Sequence, residues 1–167
     1  DEFLIYGTYP EVFTTNNKQK LLKEVSQSYL YKDILELADI RKPAMVHRLL
    51  QALAYQIGSE VSYNELSNLL KIDAATVVRY IDLLEESFVL FRLPPLSTNP
   101  RKEISTSRKI YFYDNGIRNA VINNFNPLST RNDHGLLWEN YIISEFRKKT
   151  SYYRPDCELY FWRAKTG

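Results

Sequence analysis

Helical periodicity sets one carboxylate where a carboxylate is costly. At 100° per residue, the segment HGLLWENYIISEFRKK places Glu139 among Leu136, Ile142, Ile143 and Phe146, at the centre of an apolar face. An ionised acid on such a face needs a cation or hydrogen-bond donors beside it. Two kinds of partner meet that need. One is an arginine in a structural ion pair, with Arg154 and Arg163 as candidates; the other is a divalent metal shared with further carboxylates. Asp156 and Glu158 precede the last strand-like stretch instead of ending it, so no second carboxylate stands at a convincing position. The ion pair is the favoured reading, and Glu139 is the one candidate metal ligand.

A second group could meet nucleic acid. Thr76 and Arg79 lie on the exposed side of a helix expected from Asp73 to Ser87, and Arg101, Lys102, Arg108 and Lys109 flank or fill the polar stretch that follows. Neutralising phosphate charge supplies most of the affinity for a duplex. The helix is poorly charged for this, with one Arg against Asp73, Asp82, Glu85 and Glu86. The stretch is better, with four basic residues against Glu103. That balance favours packing against protein over contact with DNA. His47, beside an apolar stripe, and His134, at a helix start, read as surface or capping residues. Five glycines, at 7, 58, 116, 135 and 167, cannot spell either phosphate-binding glycine loop.

The elements that must position these residues follow from pattern. Helical spacing runs from Lys18 to Ile40. Pro43 opens a helix whose stripe is Met45, Val46, Leu49, Leu50, Leu53, Ala54 and Ile57, closed by Gly58. Ser62 and Glu65 have capping-box spacing ahead of a short helix, and Asp73 caps the next, whose inward face is Val77, Ile81, Leu84 and Phe88. Two helices across so tight a turn, then a strand from Phe88 to Leu93, a polar loop and the returning strand KIYFYD, predict a winged helix-turn-helix. Asp114 caps NGIRNAVINN, a helix runs from His134 to about Lys149, and LYFWRAKTG ends the chain as one strand of an unfinished hairpin. The expected organisation is a helical piece over 1–42, a winged helix over 43–114 and an incomplete α/β piece over 115–167.

Composition bounds the class. The 167 residues are 44% hydrophobic and 14% aromatic, enough for a core, and a formal charge of +2 announces no polyanion partner. A single cysteine, Cys157, excludes an internal disulfide and fits a cytoplasmic setting. No apolar run approaches the ~20 residues of a bilayer span, so no membrane partner is expected.

Taken together, GTYPEVF, YLYKDILELADI, VVRYIDLLEESFVLFRLPP, KIYFYDNGIRNAV, DHGLLWEN and LYFWRAKTG resemble the C-terminal part of the AAA+-superfamily ATPases of bacteria and archaea that carry the domain of unknown function DUF4143. The resemblance implies a winged helix followed by a truncated domain similar to PD-(D/E)xK nucleases, with Glu139 at the helix glutamate. It implies an ATPase domain upstream as a partner, with ATP and Mg²⁺ bound there and no cofactor or catalytic residue in this stretch. On that reading the chain is a non-catalytic fragment that contacts DNA or a partner protein. The alternatives are a sequence-specific winged-helix regulator or, in the intact parent, a metal-dependent nuclease. The unfinished hairpin is expected to leave a sheet edge that recruits a second copy.

Overall fold

The computed structural model describes residues 1–28, 43–96 and 108–163. Three helices come first: α1 (Glu2–Tyr6), α2 (Pro10–Thr14) and α3 (Lys18–Ser28). The middle of the chain runs α4 (Pro43–Tyr55), β1 (Glu60–Val61), α5 (Tyr63–Leu70), α6 (Ala74–Glu86), β2 (Leu90–Leu93) and β3 (Arg108–Phe112). Then come α7 (Asn115–Val121), a 3₁₀ turn at Leu128–Thr130 and α8 (His134–Tyr153). The described chain is mainly helical around one antiparallel sheet of order β1-β3-β2, in which Glu60 faces Lys109 and Leu90 faces Phe112.

Local chemistry starts and stops the middle elements where side chains can satisfy backbone N–H groups. Ser62 Oγ accepts from the Glu65 N–H at 3.4 Å, Asp73 Oδ1 from Thr76 at 2.8 Å and Asp114 Oδ1 from Ile117 at 3.1 Å. Only Lys71, Ile72 and Asp73 separate α5 from α6, with Lys71 left-handed at φ 55°. Leu49, Leu50 and Leu53 of α4, with Ile57 in the turn just beyond it, are buried against Leu66, Leu70, Val77, Ile81 and Leu84, and the sheet closes this core with Leu90, Ile110 and Phe112.

Phe88 departs from its expected inward position. The chain reverses after α6, with the Val89 N–H donating to Leu84 and the Phe88 N–H to Glu85, both at 3.0 Å. That reversal puts Phe88 at φ 55°, a position usually held by glycine, and leaves it 72% exposed. The strand expected at LYFW is also reduced. Phe161 makes a single parallel bridge to Pro95, its N–H donating to Pro94 at 3.0 Å and its carbonyl accepting from Leu96 at 2.8 Å. Leu159 and Phe161 rest half-buried on Phe91, Leu93 and Tyr111. The helical spacing expected over 29–40 and the polar loop at 97–107 lie outside the described residues.

Every residue of α7 is buried. Its outer side packs Ile117 and Ala120 against Val12 and Leu22 of α2 and α3. Its start holds the tail of α1: Asp114 accepts from the Thr8 N–H at 2.6 Å, and a Cβ on Gly116 would stand 2.2 Å from the Tyr6 carbonyl oxygen. Burial pushes the Asp114 carboxyl above its ordinary range, against the downward pull of the Thr8 and Ile117 N–H groups. Its other side carries Arg118, 2% exposed. The Arg118 guanidinium donates to the Ala54 carbonyl at 2.9 Å, to Asn119 at 3.1 Å and to Asp133 at 2.6 Å. Arg131 donates to both Asp133 oxygens, at 2.7 and 2.8 Å. The Arg131 bond, opposed by burial and aided by Arg118, holds the Asp133 carboxyl far below the usual carboxylate range.

Two glycine-related substitutions separate these features. Gly7 sits at φ 73° and ψ −161°, and a Cβ there would lie 2.0 Å from Asp114 Oδ1. Gly7→Ala is expected to destabilise the fold by about 2–4 kcal/mol, from strain plus a clash with a buried acid. Phe88→Gly is expected to raise stability by about 0.5–1 kcal/mol, because it relieves a left-handed bulky residue without emptying the core. Urea denaturation of both variants measures the pair.

Candidate nucleic-acid interface and the Glu139 cluster

α6 presents its N-terminal turn and one long face outward. Thr76 is half-buried and its hydroxyl donates to Asp73 Oδ2 at 2.6 Å, so that hydroxyl belongs to the helix cap. Asp73 is fully exposed, and the Thr76 side-chain and backbone bonds hold its carboxyl below the ordinary value. Arg79 is exposed one turn further on. Two of the four acids of α6 have a cation beside them, while Asp73 and Glu86 stay exposed. Arg92 of β2 reaches Asp82 at 2.7 Å and Glu85 at 2.5 Å, and its backbone N–H donates to Glu85 at 2.9 Å. One cation thus serves two acids of α6 at a partly exposed site, a pairing between helix and strand that periodicity does not reveal.

Of the four basic residues beside the polar stretch, Arg101 and Lys102 lie outside the described residues. Arg108 opens β3 opposite Val61, and Lys109 follows opposite Glu60. Lys109 is committed elsewhere: its Nζ donates to Glu139 Oε1 at 3.1 Å and lies 5.5 Å from the centre of the Phe161 ring.

Glu139 thus has its cation, from β3. Tyr111, two residues along the same strand face, donates its hydroxyl to the same oxygen at 2.6 Å. The carboxylate lies against Gly58, where a Cβ would stand 3.4 Å from Oε1. The expected arginines are not the residues seen here: Arg163 pairs with Glu60, and Arg154 follows the end of α8. The orientation of α8 also corrects the expected apolar face. Leu137, Asn140 and Ser144 are buried, whereas Ile142 and Phe146 are 44% and 55% exposed. A polar anchor sets this rotation. Asn140 accepts from the Phe112 N–H at 2.8 Å, and donates to the Phe112 carbonyl at 3.0 Å and to Asn115 at 2.7 Å. A buried amide with three good bonds outweighs hydrophobic spacing in fixing which side faces in.

The remaining polar groups do not gather. Among the described residues no three His, Cys, Asp or Glu side chains come together as a metal would require. His134 starts α8 near the Arg131 carbonyl at 3.3 Å, and His47 has a buried Nδ1 without a hydrogen-bond partner among the described residues. No described helix is long and apolar enough to cross a membrane.

The described chain is mainly helical with a small antiparallel sheet, and comparison with known proteins gives its family. Residues 1–128 match the family model described as "Domain of unknown function (DUF8612)", and the chain belongs to that family. It is 28% identical over 157 residues to an uncharacterised protein of Methanocaldococcus jannaschii, covering 89% of this chain and 34% of that protein. An uncharacterised protein of Haemophilus influenzae is 25% identical over 128 residues, 72% of this chain and 32% of its own length. The chain spans about a third of the length of these relatives. No solved structure matches it. These findings overturn the resemblance to DUF4143-bearing AAA+ ATPases: the matching family is a different one, and the relatives' descriptions carry no ATPase link. The segments GTYPEVF and KIYFYDNGIRNAV hold Gly7, Asp114 and Gly116, the residues of a close backbone approach. Such motifs report packing, which does not specify chemistry. The ATP and magnesium expected of an upstream ATPase rested on that resemblance and are not carried forward.

The Glu139 cluster has a pH signature. Burial first, then the bond to Glu139, pushes the Tyr111 hydroxyl well above its ordinary value of 10.0. A raised folded-state value means that folding favours the neutral phenol. Its contribution is complete below about pH 10 and is lost as pH climbs toward the folded value. Tyr111→Phe is expected to cost about 1 kcal/mol at pH 8. The deficit should shrink above about pH 10, where the wild type alone gives up this contribution. Urea titrations from pH 8 to 11 read it; a constant deficit would contradict the assignment.

Proposed function

We propose that residues 43–112 form a winged helix and that the chain is a binding module resting on duplex DNA through the outer face of α6 and the basic residues around the β2–β3 connection. The carrying observation is topological. The order helix, short strand, two helices across a three-residue turn, then two strands, with a β1-β3-β2 sheet, is the arrangement that leaves the third helix and the final hairpin on one surface. Arg92 offsets one of the two charges of Asp82 and Glu85, which lowers the electrostatic penalty of the α6 face toward phosphate without reversing its sign. Arg79 then stands on a face whose opposing charge is largely Asp73 and Glu86. The nuclease-like reading of the C-terminal part has less to support it. Glu139 is held by Lys109 and Tyr111, and Phe161 contributes one bridge in place of a strand.

Anisotropy titrations of a labelled duplex between 50 and 200 mM salt test this. Neutralising Arg101, Lys102 and Arg108 together should reduce the log-log salt slope by about 2 to 3, at roughly 0.9 per phosphate contact. Lys109→Ala should leave the slope nearly unchanged, because Lys109 serves Glu139. Arg79→Ala should weaken binding and relax any sequence preference while changing the slope by about 1 or less. Wild-type protein that shows no salt-dependent binding, or a slope indifferent to the triple variant, would overturn the DNA reading in favour of a surface that packs on protein.

A further inference from the structure

α8 carries apolar side chains on two opposite sides, and among the described residues only one side is packed into the fold. Leu137, Asn140 and Ser144 face the sheet and α7. About half a turn away, Trp138, Ile142, Phe146 and Tyr153 form a second stripe, exposed by 50%, 44%, 55% and 78%. The patch broadens onto α1 and α2. Trp138 meets Tyr141 edge-on at 6.2 Å, Tyr141 stacks on Phe3 at 6.4 Å, and Phe3 touches Phe13 at 5.7 Å. Phe3 and Phe13 are themselves 46% and 50% exposed. Contiguous apolar surface of this kind marks an interaction site.

We infer that the occupant is a second copy of this chain, with the two α8 helices packed antiparallel. The stripe carries complementary charge at its two ends. Glu139 flanks the N-terminal part; its Oε1 accepts from Lys109 and Tyr111, while Oε2 has no partner among the described residues. Lys149 lies in the C-terminal part, exposed and without an ion pair among the described residues. Antiparallel pairing with Ile142 opposite the partner's Phe146 brings Glu139 against the partner's Lys149. It also sets the partner's Tyr153 over Gly135, where a Cβ would meet nothing within 4 Å. The match of acid to base and of large ring to bare glycine holds on both sides of the axis, as an isologous contact requires. A parallel pairing would oppose lysine to lysine and glycine to glycine. The stripe is about 27 Å long at 1.5 Å per residue. Such an interface is at the small end for specific association, so a dissociation constant on the order of 10–100 µM is expected.

Sedimentation equilibrium from 5 to 200 µM should show a reversible monomer–dimer equilibrium. Phe146→Glu should weaken it at least tenfold with unchanged circular dichroism, since Phe146 is outside the core. Trp162→Ser, at the exposed end of the Phe161 bridge, should leave it unaltered. Register is read by oxidative cross-linking in a Cys157→Ser background. A mixture of Gly135→Cys and Tyr153→Cys chains should cross-link readily, and either alone should not. A monomer at 200 µM would overturn the proposal and reserve the stripe for another polypeptide. So would loss of the dimer in Trp162→Ser with Phe146→Glu unaffected, which is the outcome for sheet-edge pairing, or cross-linking of either single variant with itself.

Discussion

A charged side chain buried without partners would be intolerable, and Arg118 is nearly fully enclosed. Its survival there depends on three separate parts of the chain arriving together: the end of α4 with a carbonyl, the start of α8 with Asp133, and α7 itself with Asn119. Asn119 extends the arrangement by donating to the carbonyls of Leu4 and Ile5, at 3.1 and 2.9 Å, which closes the end of α1. Removing any one of these leaves a buried polar group unpaired, at a cost of about 1–3 kcal/mol and more for a charge. The N-terminal helices, the α4–β3 unit and α8 are therefore linked through a helix of seven residues.

That linkage also explains which side chains are left on the surface. α7 and Asn140 hold α8 by hydrogen bonds, and Leu136, Leu137 and Ile143 pack inward beside them, so the other side of α8 takes no part in this attachment. Trp138, Ile142 and Phe146 are left outside. Elsewhere, Arg92 ties α6 to β2 through two acids and so modifies the charge that the outer face of α6 presents. In both places an internal polar contact decides what the surface offers.

Most of the elements were legible in the sequence because local chemistry specifies them. Ser62, Asp73 and Asp114 cap the helices that their spacing announces, Pro43 opens α4, and the Val46-to-Ile57 stripe is core. What was not legible depended on contacts between distant residues. The Lys109–Glu139 pair spans 30 positions and the Arg118–Ala54 bond 64, and no periodicity encodes either. Apolar spacing points Ile142 and Phe146 of α8 inward, whereas Asn140, a polar residue, sets the rotation and leaves them exposed. The same spacing points Phe88 inward, whereas the reversal at the end of α6 turns it out. The need of Glu139 for a cation was readable, but the identity of that cation was not.

The claim that α7 unites the chain is most directly tested by native-state hydrogen exchange. The account predicts that the amides of Leu53 in α4, Asn119 in α7 and Asn140 in α8 exchange with one common free energy, equal to that of global unfolding and falling together with denaturant. If the α7 and α8 amides instead opened at a distinctly lower free energy while α4 stayed protected, Arg118 would be a local contact and the linkage described above would be wrong.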